Sequence, residues 1–237
     1  MNPLCPLLAC FPVLLSYVTP AAPAATGVHT AMVRIPGGAS LSGGVQVEPF
    51  WPSKTEITVR EYATCVAAKK CAAPKTDWKT CNWTNRQAHG DHPVNCITWR
   101  QAKAYCTWAG LRLPSEQEWE FAARGGDGRT YPWGEGSPIG RVCVKGDDSG
   151  TCPVGSAAGD ISPFGLLDMA GNVKEWTAST AKLPGGVEAK VLRGGDWQYD
   201  RLSPVIPARA TEREFLPPTE FAADLGVRCA ASVQPRR

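Results

Sequence analysis

The chain has 237 residues, enough for one domain and a leader, and 43% of them are hydrophobic, enough for a core. Charged residues make up 20% and the net charge is +3, a balance too even to point to nucleic acid or a membrane surface. With 24 Gly, 21 Pro and 9 Trp it reads as a compact, loop-rich fold, which excludes a plain helical bundle.

Residues 1–24 read as a secretion signal. Residues 4–18 are mostly apolar, and Ala22-Pro23-Ala24 offers a small-x-small cleavage site. No Lys or Arg stands before the apolar run, which points to a start codon placed too far downstream. Leu7-Leu8-Ala9-Cys10 is similar to a lipoprotein box, but more apolar residues follow Cys10 where a polar tether belongs. No other segment is long and apolar enough to span a bilayer. The expectation is an exported protein, periplasmic, envelope-associated or extracellular, with one domain over residues 30–232 and a tail over 233–237.

Short strands are expected at 32–35 and 45–50. Three helices then announce themselves by capping boxes, in which a hydroxyl and an acid or amide three residues on cap each other's backbone. Thr58 with Glu61 opens a helix running to about residue 68. Thr98 with Gln101 opens one ending near Gly110, and Ser115 with Glu118 opens one ending at Gly125-Gly126. Further strands are expected at 165–167, 191–193 and 226–230, with loops dense in Gly, Pro and Ser between them.

Two of the 10 cysteines lie in the leader. The other eight, Cys65, Cys71, Cys81, Cys96, Cys106, Cys143, Cys152 and Cys229, form an even set, which in an exported chain argues for disulfides. Metal ligation competes, but there is no CxxC pair and the three His are not near these thiols. Short loops suggest Cys65 with Cys71 and Cys143 with Cys152.

Three places carry possible metal ligands. His89-Gly90-Asp91-His92 sits in a loop, where surface histidines are the commoner reading. Asp147-Asp148-Ser149 lies between Cys143 and Cys152 and reads first as a turn. The third is Asp168 to Glu175, two carboxylates with Gly171 between them to permit a bend. Hard cations take carboxylate and carbonyl oxygens. The expectation is a calcium site made by the side chains of Asp168 and Glu175 and the carbonyls of Gly171 and Val173. Its competitor is an amphipathic turn with two solvated acids.

Gly165-Leu166-Leu167-Asp168-Met169-Ala170-Gly171-Asn172-Val173-Lys174-Glu175-Trp176 resembles the signature of the formylglycine-generating enzyme, or sulfatase-modifying factor, family. Other pieces follow in that family's order. They include Met32-Val33-Arg34-Ile35-Pro36-Gly37-Gly38, His92-Pro93-Val94-Asn95, Arg112-Leu113-Pro114-Ser115-Glu116-Gln117-Glu118-Trp119, Tyr131-Pro132-Trp133-Gly134, Leu192-Arg193-Gly194-Gly195 and Leu225-Gly226-Val227-Arg228-Cys229. The resemblance runs from about Met32 to Ala231. It implies an α+β, C-type-lectin-like fold of the sulfatase-modifying type, loop-rich, with short strands, about three helices and disulfide staples. It also implies a bridge between Cys106 and Cys229, which leaves Cys81 with Cys96.

Members of that family that oxidise a substrate cysteine to formylglycine bind copper(I) through two cysteines spaced C-x4-C after the Arg-Gly-Gly strand. Here Tyr199 and Pro204 stand at those positions, Asp196 replaces a serine, and no thiol lies between Cys152 and Cys229. Copper(I) prefers soft thiolates, which Tyr and Pro cannot supply. Arg209 does match the arginine after the family's active-site turn. A second branch carries a three-histidine iron domain, for which this chain has no room. Copper is therefore not expected, and whether the chain is an enzyme stays open, leaning against. The first expectation is a binding or accessory protein whose groove, lined by Trp197, Tyr199, Arg201 and Arg209, takes a peptide, glycan or partner protein. The alternatives are an oxidase with a displaced site and a structural component of an envelope complex.

Overall fold

The computed structural model describes residues 30–39, 44–144, 150–198 and 208–235. The expected leader, Asp147, Tyr199, Arg201, Pro204 and the end of the tail lie outside the described residues.

The three helices begin at their capping boxes. They are α1 (Val59–Ala67), α2 (Trp99–Trp108) and α3 (Glu116–Arg124). In each, the cap hydroxyl accepts the N–H of the third residue, and that residue's side chain accepts the cap N–H, at 2.8, 3.0 and 2.8 Å. The first two helices each bury one stripe: Val59, Tyr62 and Cys65 in α1, and Ala102, Tyr105 and Cys106 in α2. α3 is buried on most sides, through the successive residues Trp119, Glu120, Phe121, Ala122 and Ala123. After α3 the chain turns at Gly125, whose φ of 66° is strained for any residue with a Cβ.

The strands are β1 (Gly38–Ala39), β2 (Gln46–Val47), β3 (Trp51–Pro52), β4 (Lys174–Lys182), β5 (Glu188–Arg193), β6 (Arg213–Leu216), β7 (Leu225–Gly226) and β8 (Ala230–Ala231). The main sheet has the order β6-β5-β4-β7, antiparallel except for the parallel β4–β7 pair. β1 pairs with β2, and β3 pairs antiparallel with β8, joining early and late parts of the domain. Several expected strands are revised. Residues 165–167 form only a bridge between Leu167 and Ile161, and Met32 and Ile35 make isolated bridges to Ser53 and Phe50. Residues 226–230 divide between β7 and β8. β4 and β6 had no sequence signal, because β4 reads Lys-Glu-Trp-Thr-Ala-Ser-Thr-Ala-Lys and buries Glu175, Trp176 and Thr177 in succession rather than alternately.

One core lies between α1, α2 and the sheet, around Tyr62, Tyr105, Trp176 and Val227. A second packs α3, through Trp119 and Phe121, against Ile35, Phe50, Leu166 and Met169. Four disulfides join Cys65–Cys71, Cys81–Cys96, Cys106–Cys229 and Cys143–Cys152. Cys106–Cys229 spans 123 residues and ties α2 to the strand end between β7 and β8. Closing a loop of that size stabilises by about 4–5 kcal/mol in the chain-entropy model. Among the described residues no helix is long and apolar enough to cross a membrane.

Candidate functional site

The centre of the domain is charged. Arg228 is 1% exposed and extends from the segment between β7 and β8. Its Nε donates to both oxygens of Glu175 at 3.1 Å, and its Nη2 donates to Oε1 at 2.8 Å. The remaining donors reach the carbonyls of Ser53 and Leu167, both at 2.8 Å. Trp119 Nε1 completes the set by donating to Glu175 Oε2 at 2.7 Å. A buried ion pair is tolerated when its leftover donors and acceptors are also satisfied, and this one meets that condition.

Three more buried acids surround the pair. Glu56 is fully buried, and neither of its carboxylate oxygens has a hydrogen-bond partner. Asp160, also fully buried, accepts the Ala170 N–H at 2.8 Å on one oxygen, while the other has no partner. Asp168, held at a φ of 56°, accepts the Gly155 N–H. Burial pushes the Glu56 carboxyl well above the ordinary range, and the neighbouring Asp168 adds to this. Burial lifts Asp160 to about 7 and raises Asp168 as well. The Glu175 carboxyl is also raised by burial, against the pull of Arg228. One guanidinium cannot balance four buried carboxylates, and low dielectric makes protonation the cheaper state for the unpaired ones.

Two further ionic nodes flank this centre. Glu120 pairs with Arg124 at 2.6 Å and with the buried Arg193 at 2.8 Å, and Arg193 also donates to the carbonyl of Ala210. Lys174 bridges Asp196, Glu214 and Asp224.

The two expected calcium carboxylates share this buried centre, where the charge of Asp168 acts on Glu175. Glu175 is committed to Arg228 and Trp119, so the donor set loses one of its two carboxylates, and the positive partner at this position is a guanidinium. Among the described residues no three His, Cys, Asp or Glu side chains are arranged to hold a metal ion. The expected groove is also revised. Trp197 is 4% exposed, packs among Cys81, Cys96, Cys143 and Val173, and donates to the Ala223 carbonyl at 3.1 Å. It is a core residue and lines no open surface. Arg209 is exposed, while Tyr199 and Arg201 lie outside the described residues. In the histidine loop the His89 and His92 rings lie 4.8 Å apart, while Asp91 pairs with Arg60 at 2.8 Å and His92 Nδ1 lies 2.8 Å from the Thr151 hydroxyl, so Asp91 does not join the two rings.

Sequence reasoning missed Glu56, Asp160 and Arg228 as a unit. The available signal was a charged residue inside a short apolar run, as in Val227-Arg228-Cys229 and Glu56-Ile57.

Residues 19–233 match the family model described as the sulfatase-modifying factor enzyme 1-like domain. The chain is 44% identical over 154 residues to the inactive C-alpha-formylglycine-generating enzyme 2 of Mus musculus, covering 59% of this chain and 49% of that protein. It is 40% identical over 172 residues to the formylglycine-generating enzyme of Thermomonospora curvata, covering 60% and 56%. The chain thus spans about half the length of the curated relatives it matches. The crystal structure of CarF shares the fold, with a TM-score of 0.70 at 20% identity over 88% of this chain and 100% of that one.

Proposed function

The chain belongs to the sulfatase-modifying factor family, and we propose that it is an exported binding or accessory domain without the copper-dependent oxidation of cysteine. One observation carries this reading. All eight cysteines of the domain are closed in disulfides, while Tyr199 and Pro204 stand where the copper-binding pair would be. A disulfide sulfur is no thiolate, and copper(I) needs thiolates. The similarity to a protein named as inactive supports the same reading. Four disulfides fit an oxidising compartment and so favour export. The partner is a peptide, glycan or protein.

Purified protein reconstituted with copper(I) should retain no stoichiometric metal. It should also leave a Cys-x-Pro-x-Arg peptide unchanged by mass spectrometry. Appearance of the aldehyde product would overturn the reading and assign an oxidase with a displaced site.

A further inference from the structure

α2 carries a second stripe that faces away from the core. Arg100, Lys103, Ala104, Thr107 and Trp108 recur at three- and four-residue spacing, so they share one side of the helix. Together with Trp99 and with Lys70 from the turn after α1, they line an open depression of about 560 Å³. Ala104 and Thr107 are small and exposed, which keeps the floor low between the two indoles.

The two tryptophans have different surroundings. Trp99 is fixed by its Nε1 donating to the Thr177 carbonyl at 2.7 Å, and the ammonium groups of Lys190 and Lys103 lie 4.4 and 5.2 Å from its ring centre. It is a rigid wall that gathers positive charge. Trp108 is half-buried against the core, tilted on Tyr105, and presents the rest of its ring to the depression. Lys70, Arg100 and Lys103 make no salt bridge among the described residues. Glu188, which feels the charge of Arg100, is already paired with Lys190 at 2.8 Å. The rim is therefore a cluster of cations without a direct salt bridge, on an aromatic and small-residue floor.

We propose that this face binds an anionic oligosaccharide. Sugar rings present apolar C–H faces that an indole accepts, while sulfate or carboxylate groups along the chain meet Lys70, Arg100 and Lys103. An acidic peptide fits less well, because the backbone groups of α2 are spent within the helix and offer no edge to a strand. The proposal does not depend on the copper positions.

Binding of the full chain is measured by calorimetry and tryptophan fluorescence. The probes are a heparin-derived oligosaccharide, a polygalacturonate oligomer, neutral dextran and polyglutamate. One or both anionic glycans should bind, and affinity should fall about tenfold as salt rises from about 0.05 M to about 0.5 M. Sulfate or carboxylate preference is read from which of the two binds more tightly. Arg100→Glu with Lys103→Glu should weaken binding by about tenfold or more. Trp108→Ala should weaken it about tenfold and remove the fluorescence change. Lys54→Glu, away from this face, should leave it unchanged. Arg100 and Lys103 are exposed, so their double variant decides the matter even where Trp108→Ala fails to fold. Five results would overturn the proposal: no glycan binding, equal binding of dextran, tighter binding of polyglutamate than of either glycan, undiminished binding in the Arg100→Glu, Lys103→Glu variant, or an equal loss in Lys54→Glu.

Discussion

Arg228 is the residue whose loss the domain should tolerate least. Its guanidinium holds Glu175 and two backbone carbonyls in a space closed to water. Removing one partner of a buried pair leaves the other charged and unpaired, at a cost of about 3–5 kcal/mol. Arg228→Met should therefore lower the unfolding free energy by that amount in urea titration. Arg228→Met with Glu175→Gln should lose much less than the sum of the two single changes. Asp160 behaves differently. The unfolded chain releases this proton near the ordinary carboxyl value of 3.8, whereas the folded chain keeps it to about 7. The folded state binds the extra proton, so its stability is greatest below that window and falls as pH rises through it. Asp160→Asn keeps an acceptor for the Ala170 N–H and should flatten this slope. Above about pH 7 the variant should be the more stable protein, by at most roughly 4 kcal/mol. A pH series of thermal melts that superimposes wild type on Asp160→Asn would refute the assignment. Glu56→Gln should act in the same direction, since burial raises that carboxyl too.

At the scale of elements, helices and strands were not equally legible. Thr58, Thr98 and Ser115 begin helices because a hydroxyl and a partner three residues on satisfy local N–H groups. That chemistry needs nothing from elsewhere in the chain. β4 depends instead on β5 and β7 for its hydrogen bonds, and its Glu175 is acceptable only because Arg228 and Trp119 arrive from distant segments. The Cys106–Cys229 bridge supplies a second long-range constraint, fastening α2 beside the sheet. Cys229→Ser should lower stability by about 2–5 kcal/mol, measured by denaturant unfolding, with Cys106 becoming a titratable thiol. Gly226 in β7 is equally constrained. A Cβ there would lie 2.6 Å from Val173 Cγ2 and 2.9 Å from the Val94 carbonyl oxygen. Gly226→Ala should cost about 1–3 kcal/mol through overpacking, seen as an earlier unfolding midpoint.

The whole molecule was recognisable from sequence because many motifs occur in one order, and the disulfide pairs implied there are the pairs in the structure. Calcium was expected from spacing alone. Spacing places Asp168 and Glu175 seven residues apart, but spacing cannot say that Glu175 faces inward to a guanidinium. Melting curves in chelator and in millimolar calcium should show no shift that depends on Asp168. A calcium-dependent rise lost in Asp168→Asn would restore the ion to this loop. The sequence by itself determined the helix starts, the family, the even set of cysteines and the replacement of the copper pair. Each of these is a local pattern or a residue identity. Only the tertiary structure decided that Trp197 is core, that Arg228 occupies the charged centre, and that α2 leaves a basic, tryptophan-walled face in solvent. Burial and charge pairing depend on which distant segments meet, and a linear pattern does not carry that information.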